Sequence, residues 1–399
     1  MIMANNSNKN KCNVPHLRFP EFTEEWKKIR LDSFTERVMR KNKNNLSKLP
    51  LTISAQYGLV DQITFFNKVV ASTDMSNYYL LKKGEFAYNK SYSSDYPWGA
   101  IKRLDNYEQG ALSSLYICFA PKDNVETDFI LQYFESPKWH KGVSEIAVEG
   151  ARNHGLLNIS VQDFFHTHHY MPKDKKEQAK IAKLLMFLDE RIATQNKIIE
   201  DLKKLKSAII EKLYSDIKGR EYSYRQIFEI VNERNKQLEY LNILSASQEK
   251  GMVNREDLNL DIQFERSNIN TYKIVKEGDY VIHLRSFQGG FAFSDKHGVC
   301  SPAYTILRPN DLLEFRYLSY YFTSQRFIKS LIVVTYGIRD GRSINVEEWL
   351  DMKTIIPSKE RQHHIVETIR NIENKIENEE KYASCLSNQK QYLLHHLFI

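Results

Sequence analysis

Four Gly-punctuated stretches of this chain carry the side chains best suited to recognition chemistry. NKSYSSDYPWGAIKR (residues 89–103) supplies Lys90, Tyr92, Ser93, Tyr96, Trp98, Lys102 and Arg103. HLRSFQGG (283–290) supplies His283, Arg285, Ser286 and Gln288. The turns GARNHG (150–155) and GIRDGR (337–342) add Arg152, Asn153, His154, Arg339, Asp340 and Arg342. Loops are where binding residues concentrate. Arg forks onto guanine and Asn or Gln onto adenine in a major groove, while Lys and the remaining Arg hold phosphate. The bland alternative is that the aromatics pack turns and the arginines form internal ion pairs. Arg152 and Arg339 are favoured because they recur at matching places.

Signatures of catalysis are missing. There is no GxGxxG after a strand, no Walker A motif and no [DNS]PP[YF] loop of an amino-methyltransferase. The pairs His168–His169, His363–His364 and His395–His396 do not converge on one ion. Neighbours on a strand point to opposite faces, and on a helix they diverge by about 100°. They are expected to be surface or packing residues. The four cysteines, Cys12, Cys118, Cys300 and Cys385, show no zinc spacing and read as scattered reduced thiols. No catalytic residue, metal site or cofactor is expected in this chain.

The elements that position the loops follow from an internal repeat. Residues 172–215 and 357–399 each follow an extended stretch ending in Pro and run on without Gly or further Pro. In the first, a 4-3-4-3 walk reads Ile181, Leu185, Leu188, Ile192, Gln195, Ile199, Leu202, Lys206, Ile209, Leu213. In the second it reads Ile365, Ile369, Ile372, Ile376, Glu379, Ala383, Leu386, Lys390, Leu393, Leu397, each position displaced by 184. Even the polar interruptions match, Gln195 with Glu379 and Lys206 with Lys390. This spacing predicts two long helices with a coiled-coil seam, each roughly 60 Å long at 1.5 Å per residue. Two separate core helices are the alternative. Each helix needs a partner, and the twin, laid antiparallel, would set Gln195 opposite Glu379.

The intervening parts repeat more loosely. ISAQYGLV (53–60) answers LSASQEKGMV (244–253), and LLKKGEFAYNK (80–90) answers KIVKEGDYVIHLR (273–285). SSLYICFAP (113–121) answers SPAYTILRP (301–309), and DFILQYFES (128–136) answers FRYLSYYFTS (315–324). Alternating Val, Ile, Tyr and Phe between Gly turns predicts strands, with a short helix late in each copy. The expected architecture is α+β. Two similar α/β domains, 15–171 and 217–356, are separated by two long antiparallel coiled-coil helices, 172–216 and 357–399, with an internal pseudo-twofold repeat. Residues 1–14 read as a flexible tail and contain no apolar signal-peptide core. Hydrophobic residues make up 42% and aromatics 12% of the 399, enough for real cores and against disorder. The net charge of +7 is mild and compatible with one phosphate-facing surface. No run is long enough to span a membrane.

Three stretches together resemble the specificity (S) subunits of type I restriction–modification systems, over nearly the whole length. They are the opening PHLRFPEFTEEWKKIRL (15–31), the block MPKDKKEQAKIAKLLMFLDERI (171–192) and its distal copy IIPSKERQHHIVETIRNIENKI (355–376). The distal copy departs at Arg361–Gln362, where the first has Glu177–Gln178. It also has Asn371–Ile372–Glu373 in place of the first block's acidic LD pair. The resemblance implies two target-recognition domains, each reading one half of a split, asymmetric double-stranded DNA target. The helices would serve as a ruler for the unread spacer. It further implies docking of two modification subunits, which use S-adenosylmethionine to methylate adenine N6. Two restriction subunits, translocases and nucleases using ATP and Mg, would join them to cleave unmodified DNA. The chain itself would be non-catalytic and cytoplasmic. The competing reading is a coiled-coil scaffold whose globular domains bind protein.

Overall fold

The computed structural model describes residues 13–68, 70–147, 155–247, 250–258, 266–283, 290–336 and 343–399. The first twelve residues of the expected tail, Cys12 among them, lie outside the described residues. The chain divides into two compact units, 1–195 with 382–399, and 196–381. The division falls inside both long helices, so each helix gives one half to each unit.

In the first unit a four-stranded antiparallel sheet runs in the order Thr35–Arg37, Ile117–Pro121, Phe86–Asn89, Ala100–Arg103. A second sheet is ordered Gly58–Asp61, Pro50–Ser54, Gln109–Leu112, Tyr79–Lys82, with one parallel pair. Helix Thr127–Glu135 turns Phe129, Ile130, Tyr133 and Phe134 into the core. The second unit repeats the first sheet strand for strand: Phe228–Val231, Thr305–Pro309, Tyr280–Ile282, Phe291–Phe293. In place of the second sheet it has two separate antiparallel pairs, Leu244–Ser247 with Gly251–Asn254 and Lys273–Val275 with Gly298–Cys300. A lone parallel bridge, Ile243 to Val299, stands where the first unit has its parallel pair. Aromatic stacking recurs too, Tyr88 on Phe164 at 4.8 Å and Tyr224 on Trp349 at 4.3 Å.

Entry and exit of each domain are zipped together just before a long helix. Lys27–Arg30 pairs antiparallel with His168–Met171, and Arg220–Ser223 with Lys353–Ile356. The helices then run Lys175–Ser215 and Lys359–His396. Within the first unit they are antiparallel: Asp189 bonds Lys390 (2.5 Å), and Arg191, one turn's fraction further on, meets Tyr382. Within the second unit Lys203 meets Glu380 (2.7 Å) and Lys206 meets Glu373 (3.1 Å), again in opposed senses.

Burial along the helices follows the repeat. Ile181, Leu185, Leu188, Gln195, Ile199, Ile365, Ile369, Ile376, Leu386 and Leu397 are buried. Ile192, Leu202, Ile209, Leu213, Ile372, Glu379 and Leu393 are half-buried. Near the C-terminal ends the most buried face moves one position on, to Ile210 and Tyr214 and to Leu394 and Phe398. There the helices leave the seam and pack on a domain core. A straight helix at 3.6 residues per turn also drifts from a 3.5-residue seam by about 20° per heptad.

The departures in the distal copy have structural meanings. Glu373 stands 184 residues after Asp189 and does its work, so the acid is kept in longer form. Asp189 also accepts from Gln132 Nε2 (2.8 Å), and Glu373 from the Tyr320 hydroxyl (2.7 Å). Glu177, by contrast, has no counterpart in Arg361. It is buried and takes a fork from Arg18 (2.7 and 2.8 Å) and a bond from Trp26 Nε1 (3.2 Å). The opening segment is thus clamped to the central helix through its own Arg and Trp. Leu17 N–H also donates to His396 O (3.0 Å), satisfying a carbonyl at the C-terminal helix end.

Candidate nucleic-acid interface

The loop between strands Phe86–Asn89 and Ala100–Arg103 presents most of the described candidates. Its exit needs Gly99, at φ +77°, because a Cβ there would lie 2.1 Å from Asn89 O. Ser93 and Tyr96 exchange backbone bonds of 3.1 and 3.2 Å, a tight turn that leaves Ser93 exposed. Tyr92 is 44% exposed. Trp98 is half-buried against the domain core, its carbonyl accepting from Tyr88 (2.9 Å). Lys90 is half-buried and its ammonium points to Ile159 O (3.4 Å).

Lys102 and Arg103 sit differently from the sequence expectation that they face a ligand. Lys102 is neutralised by Glu135 (2.7 Å), and Arg103 by Asp105 (2.6 Å) and Asp128 (2.7 Å). Their side chains are only 13% and 12% exposed. The carboxylates come from the following turn and the Thr127–Glu135 helix, which folds over this strand. These two residues fix the helix to the sheet.

The second candidate stretch meets the first. Ser91 bridges Leu156, Tyr92 N–H donates to Gly155 O (2.9 Å), and Leu157 N–H to Lys90 O (2.9 Å). Residues 155–157 therefore lie beside residues 90–92 at the start of the first loop. In the second unit His283 N–H donates to Gly290 O (2.9 Å) and its ring lies 6.1 Å from that of Tyr304. Arg152, Asn153, His154, Arg285, Ser286, Gln288, Arg339, Asp340 and Arg342 lie outside the described residues.

The histidine pairs take separate surroundings. His169 is buried, with Tyr133 OH 2.8 Å from Nδ1 and Thr167 Oγ1 2.8 Å from Nε2. The Thr167 hydroxyl donates to Phe164 O (2.7 Å), so it accepts from Nε2–H, and Nδ1 accepts from Tyr133. Burial, helped by the charge of His168, pushes the His169 pKa down to about 3. His168 is exposed, and His363 lies 3.4 Å from Glu314. Among the described residues no three His, Cys, Asp or Glu converge as a metal site. Cys118 and Cys300 are buried thiols, each pushed by burial up to about 12, and Cys385 is exposed. No described helix is long and apolar enough to cross a membrane.

Gln178 and Gln362, which the sequence shows only as a shared position of the two blocks, tie domain to helix. Gln178 Nε2 donates to Pro172 O (2.8 Å) and its Oε1 accepts from Glu126 N–H (2.8 Å). Gln362 repeats this, donating to Pro357 O (3.0 Å) and Leu312 O (2.9 Å) and accepting from Glu314 N–H (2.7 Å). The available signal was the shared Gln at the 184-residue offset.

The profile of the family described as "Type I restriction modification DNA specificity domain" matches residues 220–384. No curated protein matches the chain. Among solved structures, one from work on complex assembly and conformational transition of the type I R-M system is 14% identical. That match covers 94% of this chain and 97% of the other, with a TM-score of 0.59. The type I restriction-modification S subunit from M. genitalium is 15% identical, covering 97% and 99%, with a TM-score of 0.51. At such identities the likeness to these two is one of fold. Residues 220–384, which take in the second domain, are thus similar to the type I restriction modification DNA specificity domain family.

Proposed function

We propose that this chain is the non-catalytic specificity subunit of a type I restriction–modification system. Each domain reads one half of a bipartite, asymmetric DNA target. One observation carries the reading: the four-stranded antiparallel sheet of the domain is present twice, strand for strand, while the loops on it differ in length and sequence. A shared frame with unlike reading loops is what two unlike half-sites require. The long helices dock two modification subunits, which supply S-adenosylmethionine and methylate adenine N6. Two restriction subunits bring ATP- and Mg-dependent cleavage. Exposed Phe187, Leu205 and Tyr392 on the helices (52, 50 and 56%) support a protein-docking role for them. This chain holds no cofactor in that scheme and works in the cytoplasm.

The test is a genome-wide map of N6-methyladenine with and without this gene, modification subunits present. A split motif that disappears on deletion is the expected result; an unchanged map sinks the proposal. Exchanging residues 21–171 for another family member's domain should then alter one half of the motif and spare the other.

A further inference from the structure

Each unit carries one loop built to the same plan, outside the stretches considered above. In the first, Asn42 is wholly buried; Nδ2 donates to Ser47 O (2.9 Å) and Oδ1 accepts from Ser47 N–H (2.8 Å). In the second, Asn235 is buried; Nδ2 donates to Tyr240 O (2.7 Å) and Oδ1 accepts from Tyr240 N–H (3.2 Å). The backbone matches too. Asn42 N–H donates to Tyr78 O (2.9 Å) and Asn235 N–H to Tyr272 O (3.0 Å). Asn45 N–H returns to Asn42 O and Leu238 N–H to Asn235 O, both at 3.0 Å. Asn45 and Leu238 are both left-handed, at φ 51° and 55°. A leucine rarely adopts that conformation, so the stapled frame imposes it. Corresponding residues of the loop itself are displaced by 193, and the carbonyl partners Tyr78 and Tyr272 by 194.

The residue after each buried asparagine is a lysine, Lys43 or Lys236. Both are exposed, and neither ammonium has an ion pair or hydrogen bond among the described residues. The basic residues before them are engaged: Lys41 with Asn77 O and Arg234 with Thr271 O, both at 2.8 Å. So each unit holds a free ammonium at the same place on the same stapled loop, and only this one is shared, since exposed Lys48 of the first loop has Leu241 as its counterpart. The other exposed positions of the loop diverge. Leu46 corresponds to Glu239 and Lys48 to Leu241. A shape-matched protein surface would not accept those exchanges in charge and size at both copies. A phosphate needs only the point charge, and it is the same beside any base sequence.

We propose that Lys43 and Lys236 are sequence-independent contacts to the DNA phosphodiester backbone, one per unit, with Asn42 and Asn235 as their positioning residues. The inference rests on the DNA-reading function proposed above. The test uses the full chain assembled with its modification subunits. A duplex carrying the mapped motif and a scrambled duplex of equal length are titrated across a range of salt. Lys43→Ala and Lys236→Ala should each weaken both duplexes by the same factor. Each should also flatten the slope of log affinity against log salt by about one. Lys→Arg should restore both, and the methylated motif should be unchanged. Unaltered affinity and slope would overturn the proposal. So would a loss confined to the motif duplex, which marks a base reader, or weaker assembly with the modification subunits without DNA, which marks an acidic protein surface. If the unaltered complex retains neither duplex, the DNA-reading function itself falls, a result distinct from normal binding that the substitutions leave untouched.

Discussion

Gln178 and Gln362 do the same work in the two units, whereas Glu177 and Arg361, one position earlier, do not. Both glutamines satisfy backbone groups of the domain at the foot of its long helix. Glu177 is buried only because residues 15–26 cover it with Arg18 and Trp26. In the second unit the strand Arg220–Ser223 follows the central helix almost directly, and Arg361 remains exposed. Where a domain grips its helix, the copies agree down to single hydrogen bonds. Where only one copy has a covering segment, the same helical position has been given opposite charge.

That contrast can be broken first at Glu177. Glu177→Ala leaves Arg18 buried without its partner and should cost the first unit about 3–5 kcal/mol, the usual penalty for halving a buried pair. Arg361→Ala should change the second unit by less than about 0.5 kcal/mol. Denaturant unfolding of the full chain, resolved by hydrogen exchange in each unit, reads both; similar losses would contradict the asymmetry. The glutamines test the shared part. Gln178→Ala and Gln362→Ala should each cost about 1–3 kcal/mol through unsatisfied buried groups. A clear loss in only one unit would mean that the grip is not equivalent.

His169 gives the first unit a pH dependence that the second lacks, because Thr354 occupies the matching strand position. Its folded pKa, about 3, lies below the ordinary value of 6.5, so the unfolded chain takes up the proton first as pH falls. The stabilisation is complete above about pH 6.5 and is lost progressively toward pH 3, by up to about 1.4 kcal/mol per pH unit. A His169→Gln chain should lose this slope, seen as first-unit exchange rates measured from pH 7 to 4; an unchanged slope would place the titration elsewhere. The smallest effect is expected at the seam ion pairs. Lys390–Asp189 and Lys206–Glu373 are partly exposed, so a double-mutant cycle on either should give about 0.5–1 kcal/mol. The two coupling energies should agree if the pairs are true counterparts.

The long helices and their 184-residue offset were legible in the sequence because helical burial obeys a local period. The domain repeat was legible only as landmarks. Its offset drifts from 193 at Asn42 and Asn235 to 188 at Ser136 and Ser324, since the connecting loops differ in length. The asparagine loops had a faint signal, KNK against RNK, that means little until both side chains are seen to close the same ring of bonds. Lys102 and Arg103 were legible as basic residues near a loop and illegible as ion pairs. Their partners Glu135 and Asp128 lie 33 and 25 residues away with no spacing rule to link them.

By itself the sequence determined where the chain is helical, that it is doubled, and which helical face is apolar. These follow from periodicities set within a few residues. Which charges are free to meet a ligand was decided only by the tertiary structure. Neutralisation depends on carboxylates brought within about 3 Å by folding, so Lys102 and Arg103 are tied down while Lys43 and Lys236 stand open.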